Sequence, residues 1–423
     1  MSEKVHEAAK KTLKLITALA NEFDKVSQIT TDSALRVNDL TESDKSNIAP
    51  NGKLYRTYNK SELYTDLNIT TGSSRLERLT KSLDIPTQYN NLWRVNLLDR
   101  NKIKREIGRF PLFKRSASQE LAIFVVSNLK GGSGKTTLSS LLSTGLAVES
   151  ERELRIGVID LDPQGTLTRI MQPRLKVASR TDNYTSVGDL MISERMNFQN
   201  EDEFIATAKN AFLPTNYPNL KILPANQSDT DFELSSRMKA LESSESGYSS
   251  YLPLQRLICA IEEDFDVLII DTPPALNEVS IAAHYVATHM LIPLKASEND
   301  RDSTGKYLFQ LASLYRYLAA LGHKGYSSIK FVPSAIDSRS PVEKRIATWY
   351  ETICGSLITK YIPLSEAIRS TGEDLNTLYD VSPSSYAGKR NTCVTAQESM
   401  SLFIGQIDAL LSSHWNERNW EEN

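Results

Sequence analysis

The stretch from Leu121 to Ser140 constrains the fold of this chain more than any other part of it. It reads LAIFVVSNLKGGSGKTTLSS. The residues from Leu121 to Ser127 are apolar and rich in β-branched side chains, which predicts a buried strand of a parallel sheet. A glycine-dense loop follows and opens directly into a helix-forming run. The stretch therefore predicts a strand, a phosphate-binding loop and a helix.

The loop contains the residue types that cradle phosphates. Its glycines let successive backbone N–H groups converge on an anion at the positive end of the new helix. Lys135 is then placed to reach the β- and γ-phosphates of a nucleotide, and Thr136 to offer its hydroxyl to Mg²⁺. The candidate phosphate ligands are Lys130, Gly131, Gly132, Ser133, Gly134, Lys135, Thr136 and Thr137. The alternative is a glycine-rich turn that binds nothing, but such a string is rare by chance at ordinary glycine frequencies.

The loop departs from the usual G-x-x-x-x-G-K-[ST] pattern at its start. Leu129 stands where the first glycine is expected, and Lys130 adds a second lysine. In this respect the loop resembles the deviant Walker A box of the ParA/MinD ATPases. The resemblance implies that Lys130 crosses a dimer interface to the partner's nucleotide.

Two further apolar runs end in acidic residues. Residues 155–160 read RIGVID and continue into Asp162, whereas residues 266–271 read DVLIID, as a Walker B strand does. Open α/β sheets bind ligands beyond the carboxyl ends of their strands. We therefore predict that Asp160 and Asp271 hold Mg²⁺, directly or through water, and that Asp162 orients the attacking water. Lys130 and Lys135 complete the predicted catalytic set.

Strands and helices alternate from residue 118 onward, which predicts an α/β domain with a doubly wound, mostly parallel sheet. A chain of 423 residues is too long for one core, so we expect several domains. The predicted parts are an N-terminal dimerisation helix and linker (1–50), a winged helix-turn-helix DNA-binding domain (51–117) and a P-loop ATPase domain with C-terminal helices (118–423). Further strands are expected at Leu220–Pro224, Met290–Leu294, Lys330–Ala335 and Tyr361–Leu364, and the last helix at Ala396–Leu411.

The N-terminal part shows a heptad pattern over three repeats. Its apolar seam consists of Val5, Ala9, Thr12, Ile16, Leu19, Phe23 and Val26. Three repeats are the least that supports a coiled coil, so a self-associating helix is one interpretation. An amphipathic helix that packs on its own domain is the other.

Residues 51–117 form a basic segment in an acidic chain. They hold fourteen Lys and Arg against six Asp and Glu, a balance of +8, whereas the whole chain has a net charge of −3. Asn59 or Ser61 can cap a first helix, and a second helix is expected from Ser73 to Leu83. With a wing near Tyr89–Val95, this layout is typical of a winged helix-turn-helix, and a basic helical linker is the alternative. The candidate DNA-contacting residues are Ser74, Arg75, Arg78, Lys81 and Arg94.

The motifs DLDPQG and DTPP, at residues 160–165 and 271–274, resemble those of ParA-type partition ATPases. The layout resembles the long plasmid type, called type Ia, and the tail from Ile362 to Lys389 is similar to the tail of those proteins. The resemblance implies a cytoplasmic, nucleoid-associated homodimer that binds ATP or ADP with Mg²⁺ and hydrolyses ATP slowly. It also implies nonspecific binding of nucleoid DNA in the ATP state, stimulation by a ParB-type centromere-binding protein, and repression of its own operon through a specific operator DNA. Arg369, Lys389 and Arg390 are candidates for the nonspecific DNA surface, with ordinary solvated charges as the alternative.

Two other functions share parts of this pattern. A MinD-like membrane ATPase has the same loop, but it needs a basic amphipathic C-terminal helix, and residues 413–423 end in acidic sequence. A transcriptional repressor that senses ATP or ADP without a transport role is the second alternative. The three scattered cysteines do not suggest an iron–sulfur or zinc site.

Overall fold

The structure, a computed structural model, describes residues 2–35, 40–175, 184–192, 195–242, 249–337 and 339–416. The acidic C-terminal end, residues 417–423, lies outside this part, as do the side chains of Val5 and Ala9. None of the described helices has the length and apolar character needed to cross a membrane.

The N-terminal part is mostly helical. Asn59 caps the first helix of the expected helix-turn-helix, and its side chain and that of Glu62 each accept a hydrogen bond from the other's backbone N–H. The elements are α1 (Ser2–Ala34), α2 (Glu42–Lys45), β1 (Thr57–Tyr58), α3 (Lys60–Asp66), α4 (Arg75–Ser82), β2 (Gln88–Tyr89), β3 (Leu92–Trp93), β4 (Val95–Asn96) and α5 (Leu97–Glu106). We call residues 54–96, which contain α3, α4 and the strands β1 to β4, the two-helix unit.

Strands and helices alternate in the remainder of the chain, as the sequence predicts. The strands are β5 (Ala122–Val126), β6 (Ile156–Asp160), β7 (Leu213–Pro214), β8 (Leu220–Leu223), β9 (Val267–Asp271), β10 (His289–Lys295), β11 (Ser328–Ile336) and β12 (Ile362–Pro363). The helices are α6 (Lys135–Glu149), α7 (Thr166–Met171), α8 (Val187–Met191), α9 (Glu201–Ala211), α10 (Asp231–Glu242), α11 (Leu252–Ile261), α12 (Glu278–Val286), α13 (Glu298–Ala320), α14 (Pro341–Cys354), α15 (Glu366–Glu373) and α16 (Arg390–Asn416).

Within the described residues these strands form one eight-stranded sheet with the order β12-β11-β10-β5-β9-β6-β8-β7. All neighbours are parallel except β7 and β8. The sheet confirms the predicted α/β class with a mostly parallel sheet. The antiparallel edge strand β7 and helix α5 were not anticipated, and the last helix begins earlier and ends later than expected.

The central strand β5 shows why both faces of the sheet are covered. Because side chains alternate along a strand, Phe124 and Val126 enter the core on one face, whereas Ile123 and Val125 enter the core on the other. All five residues of β5 are buried. The uninterrupted apolar run in the sequence is therefore the signature of a strand with helices on both sides.

Helix α6 begins at the phosphate loop. It packs against α16 in the core that contains Phe124 and Val126. A Cβ atom added at Gly145 would lie 2.6 Å from Cδ1 of Ile404 on α16, closer than two carbon atoms pack. The missing side chain thus lets the C-terminal helix pack closely on the helix that carries the candidate site.

The N-terminal helix α1 is longer than its heptad pattern predicts, and its described apolar side chains are largely in solvent. Ile16 is 58% exposed, Leu19 51%, Phe23 76% and Val26 61%. This exposure speaks against the interpretation in which the seam packs on the helix's own domain. Near its end, Ser27 accepts a hydrogen bond from Arg169 at 2.8 Å.

Candidate active site

The phosphate loop connects the carboxyl end of β5 to α6, between the neighbouring strands β9 and β10. Gly132 and Gly134 adopt positive φ angles of 70° and 95°, a region that only glycine enters without strain. Gly134 is also the N-cap of α6. These conformations direct the loop backbone and the helix N-terminus toward one point, as anion binding requires.

Asp271 ends β9 beside the loop and is fully buried. Its two carboxylate oxygens accept hydrogen bonds of 2.8 Å from the hydroxyls of Thr136 and Ser139, one turn apart on α6. Burial raises the pKa of Asp271, and the two hydroxyl donors partly offset that rise. A nearby divalent cation would favour the ionised carboxylate.

Asp160 lies opposite Asp271 in the register of β6 and β9. One oxygen of Asp160 accepts from the backbone N–H and hydroxyl of Thr168, at 2.8 and 2.7 Å, and the other accepts from the backbone N–H of Asp162 at 3.2 Å. Burial, with Asp271 nearby, raises the pKa of Asp160. These contacts give Asp160 a structural role in the turn after β6, whereas its part in holding a metal stays a prediction.

A cavity of about 600 Å³ opens over the loop, within the size range of ligand pockets. Its wall includes the loop from Gly131 to Thr137 and also Asp162. The Ser133 hydroxyl oxygen is buried and has no hydrogen-bond partner in the described part of the chain. An orphaned donor beside N–H groups, a lysine and carboxylates fits a phosphate ligand with a hard cation.

Lys135 begins α6 and is 6% exposed. Burial lowers its pKa, and the carboxylates of Asp271 and Asp162 partly offset that effect. No group of three or more His, Cys, Asp and Glu side chains converges as a metal site in the described ranges. Mg²⁺ does not need one, since it usually keeps several waters and takes one or two carboxylates together with phosphate oxygens.

Lys130 is at the head of the loop and is not part of the cavity wall. Its backbone N–H donates to the side chain of Asn128 at 3.1 Å, and the Asn128 amide donates to the carbonyl of Pro293 on β10 at 2.9 Å. The start of the loop is thereby fixed to the sheet.

The candidate DNA residues of α4 share one exposed face. Ser74, Arg75, Arg78 and Lys81 are all exposed, whereas Leu76 between them is buried in the core. Arg94 is half-buried and donates to the hydroxyl of Thr57 at 3.3 Å.

The tail candidates are exposed as well. Arg369 lies on α15, 3.9 Å from Glu366 and 3.4 Å from Glu373, and also lines the cavity. Lys389 and Arg390 lie at the start of α16. Arg369 is thus closer to the candidate nucleotide site than the other two.

Comparison with known proteins relates this geometry to a family. The model of the AAA domain family matches residues 121–312, which include the loop and both acidic strands. The plasmid partition protein A of Escherichia coli is 23% identical over 315 residues, 72% of this chain and 75% of that protein. The chain is a homologue of the ParA-type partition ATPases.

Two further matches extend over most of this chain. A putative replication protein A from Sinorhizobium fredii is 25% identical over 309 residues, 72% of this chain and 71% of that protein. A solved structure described as a partition protein shares 17% identity, covers 94% of this chain and 98% of its own, and superposes with a TM-score of 0.60. At that identity the structural match supports the fold alone.

The structure adds residues to the candidate site that the motifs did not indicate. Ser139 was missed, although its spacing of three from Thr136 places both hydroxyls on one face of α6. Thr168, which donates two hydrogen bonds to Asp160, was also missed. The far wall of the cavity is formed by tail residues, among them Pro363, Ile368 and Thr377, and no local pattern links these to the loop.

Proposed function

We propose that this chain is a DNA-partition ATPase that binds ATP at the phosphate loop and hydrolyses it slowly as a homodimer. The observation that carries the proposal is the cavity over the loop. Its wall contains Ser133, whose hydroxyl is unsatisfied, the buried Lys135, and Thr136. Thr136, together with Ser139, donates a hydrogen bond to Asp271. A buried polar group without a partner is costly unless a ligand satisfies it.

Each residue of the site has a proposed role. Lys135 and the N–H groups from Gly131 to Thr136 bind the phosphates, and Thr136 with Asp271 holds Mg²⁺, which neutralises charge on the phosphate oxygens when bound. Asp162, half-buried in the wall of the cavity, orients a water for attack. Phosphoryl transfer depends on positioning and charge rather than on covalent help, and these residues supply both.

Dimerisation is proposed on two grounds. The exposed apolar side chains of Ile16, Leu19, Phe23 and Val26 on α1 suit pairing with a second α1. Lys130 precedes the loop residues of the cavity wall and is not itself part of that wall, which suits a residue that acts on the partner's nucleotide. Closure over ATP would then bring the two sites together, and loss of the γ-phosphate would open them.

DNA binding is proposed for two surfaces. The face of α4 with Arg75 and Arg78 would read a specific operator, by which the protein represses its own operon. Arg369, Lys389 and Arg390 would bind nucleoid DNA without sequence preference, and this binding should weaken steeply with salt. A ParB-type centromere-binding partner that stimulates hydrolysis and a cytoplasmic, nucleoid-associated location belong to the same proposal.

Three lysine variants test the enzymatic part. Lys135→Ala removes charge-assisted hydrogen bonds to phosphate, so we expect ATP affinity to fall by about 10- to 100-fold, since such bonds contribute about 1.5–3 kcal/mol. Lys130→Ala should leave ATP affinity largely intact and reduce hydrolysis. Lys209→Met is the control, because Lys209 pairs with Asp264 at 3.4 Å and both side chains are more than a third exposed.

The assays are nucleotide binding by titration calorimetry and phosphate release with and without DNA. Unchanged affinity in Lys135→Ala would refute the loop assignment, and an equal loss of affinity in Lys130→Ala would refute a lysine that acts across the dimer. Tight ATP binding without turnover under any of these conditions would favour the repressor that only senses nucleotide.

A further inference from the structure

One segment of the tail touches both the candidate nucleotide site and the two-helix unit. We call residues 371–386 the bridging segment. Thr371, Asn376, Thr377 and Leu378 line the cavity over the phosphate loop. Thr371 and Asn376 also line a second cleft of about 720 Å³, whose opposite wall includes residues 53–57. The bridging segment therefore separates the two cavities and contributes to the wall of each.

The segment is joined to the N-terminal part by a buried ion pair. The Lys53 ammonium lies 3.1 Å from an Asp380 carboxylate oxygen, and the two side chains are only 4% and 5% exposed. Lys53 is followed immediately by β1 and α3 of the two-helix unit. Separating a buried pair of this kind costs much free energy, because it leaves one charge buried without a counter-charge.

Asp380 is also bonded on its other side. It accepts hydrogen bonds from the Asn216 amide at 2.5 Å and the Tyr217 hydroxyl at 2.6 Å. The backbone N–H of Thr377, in the cavity wall, donates to the same oxygen as Lys53, at 2.6 Å. Although burial alone would raise it, the pKa of Asp380 lies below its ordinary value because Lys53 and these donors favour the carboxylate. A displacement of Thr377 therefore bears directly on the atom that Lys53 contacts.

A second contact joins the segment to α3 at the surface. The Ser384 hydroxyl donates to Glu62 at 3.3 Å and accepts from the Asn59 amide at 3.5 Å. Asn59 and Glu62 are the two members of the capping box of α3. The bridging segment thus contacts both the chain leading into the two-helix unit and the start of its first helix.

We propose that the bridging segment couples nucleotide occupancy to the conformation of the two-helix unit, with the Lys53–Asp380 pair as its main link and the Ser384–Glu62 contact as a second. The inference rests on the proposed function, since it needs a nucleotide in the first cavity. A ligand shifts an equilibrium only through contacts that differ between two states. The wall residues Asn376 and Thr377 supply such contacts, and Asp380 transfers their displacement to Lys53.

Hydrogen exchange of the full chain, with and without ADP and Mg²⁺, tests the coupling without knowledge of the operator. Three regions are followed: the loop at 131–140, the cavity wall at 371–378 and the start of the two-helix unit at 54–66. In the wild-type chain we expect ADP to slow exchange by about threefold or more in all three. In Lys53→Met the first two regions should keep this response and the third should lose most of it, whereas Lys209→Met should behave as wild type.

Ser384→Ala provides a second variant at an exposed position, where folding is little affected. It should reduce the ADP response of residues 54–66 measurably but by less than Lys53→Met does, because the main link through Lys53 remains. A wild-type response of that region in both Lys53→Met and Ser384→Ala would overturn the coupling, and an unchanged response in Ser384→Ala alone would do so if Lys53→Met does not fold.

The outcomes also separate the two proposals. A loop at 131–140 that does not respond to ADP refutes nucleotide binding and the coupling with it. Loop and cavity-wall responses without any change at 54–66 in the wild-type chain refute the coupling alone.

Discussion

His284 is expected to make the folded state sensitive to acid. The side chain projects from α12 and is fully buried, and its ring nitrogens lie 3.1 Å from the Ser127 hydroxyl and 3.0 Å from the Tyr326 hydroxyl. Burial, together with a smaller effect of His323, lowers the pKa of His284 to about 4. An unfolded chain would restore the ordinary histidine value of about 6.5.

The sign and size of the effect follow from this difference. Below about pH 6.5 His284 is protonated in the unfolded chain, whereas in the folded chain it stays neutral down to about pH 4. The free energy of unfolding therefore falls across that window as the pH is lowered. Each pH unit costs about 1.4 kcal/mol. Between about pH 7.5 and pH 5, His284 should therefore remove about 2 kcal/mol of the free energy of unfolding.

The assay is urea unfolding, followed by tryptophan fluorescence, of the wild-type chain and of His284→Gln at both pH values. Glutamine offers a donor and an acceptor but does not titrate, so the variant should lose about 2 kcal/mol less than wild type between the two. Other titrating groups contribute equally to both proteins and cancel. The control, His323→Gln, should keep most of the wild-type loss because His323 is only half-buried. Equal acid losses in wild type and His284→Gln would refute the reasoning.

Three further predictions concern the site, the DNA surface and the packing behind the loop. Ser139→Ala removes one of the two hydroxyls that donate to Asp271, and we expect the Mg²⁺-dependent part of ADP affinity to fall by about tenfold in calorimetry; unchanged affinity would contradict this. Arg78→Ala should weaken DNA binding and reduce the slope of log affinity against log salt by about one, measured by fluorescence anisotropy; an unaltered slope would show that Arg78 makes no phosphate contact. Gly145→Leu should lower stability by about 1–3 kcal/mol in urea unfolding, because its side chain overlaps Ile404, and Ile404→Ala should restore part of the loss; no rescue would place the strain elsewhere.

The candidate site contains residues that neighbouring sequence predicts and residues that only tertiary packing brings there. The loop from Gly131 to Thr136 could be predicted from sequence because its glycine conformations and the helix N-terminus arise from neighbouring residues, whereas its phosphate binding stays a prediction. Asp271 was predicted from its position at the end of an apolar strand. The tail residues of the cavity wall, such as Thr377, were not predicted as site residues. They reach the loop only because α15 and α16 pack back over α6, which depends on contacts between residues far apart in sequence.

The charge balance of the N-terminal part shows what the sequence does not predict. The balance of +8 in residues 51–117 predicts a basic surface, yet part of that charge is directed inward. Lys53 pairs with Asp380, and Arg115 in the same segment contacts Asp266 of the later chain. A net charge does not say which side chains reach solvent, so the proposal of a DNA surface on α4 depends on the exposure of Arg75, Arg78 and Lys81 and not on the charge balance.

The sequence by itself determined the α/β class, the phosphate loop and the two acidic strand ends, since these depend on hydrophobic periodicity and on residues within a few positions of one another. The tertiary structure decided the order of the strands, the residues that close the cavity and the burial of Lys53 against Asp380. Those features depend on which distant segments pack together, because burial and pairing energies arise only when the whole sheet and its helices are assembled.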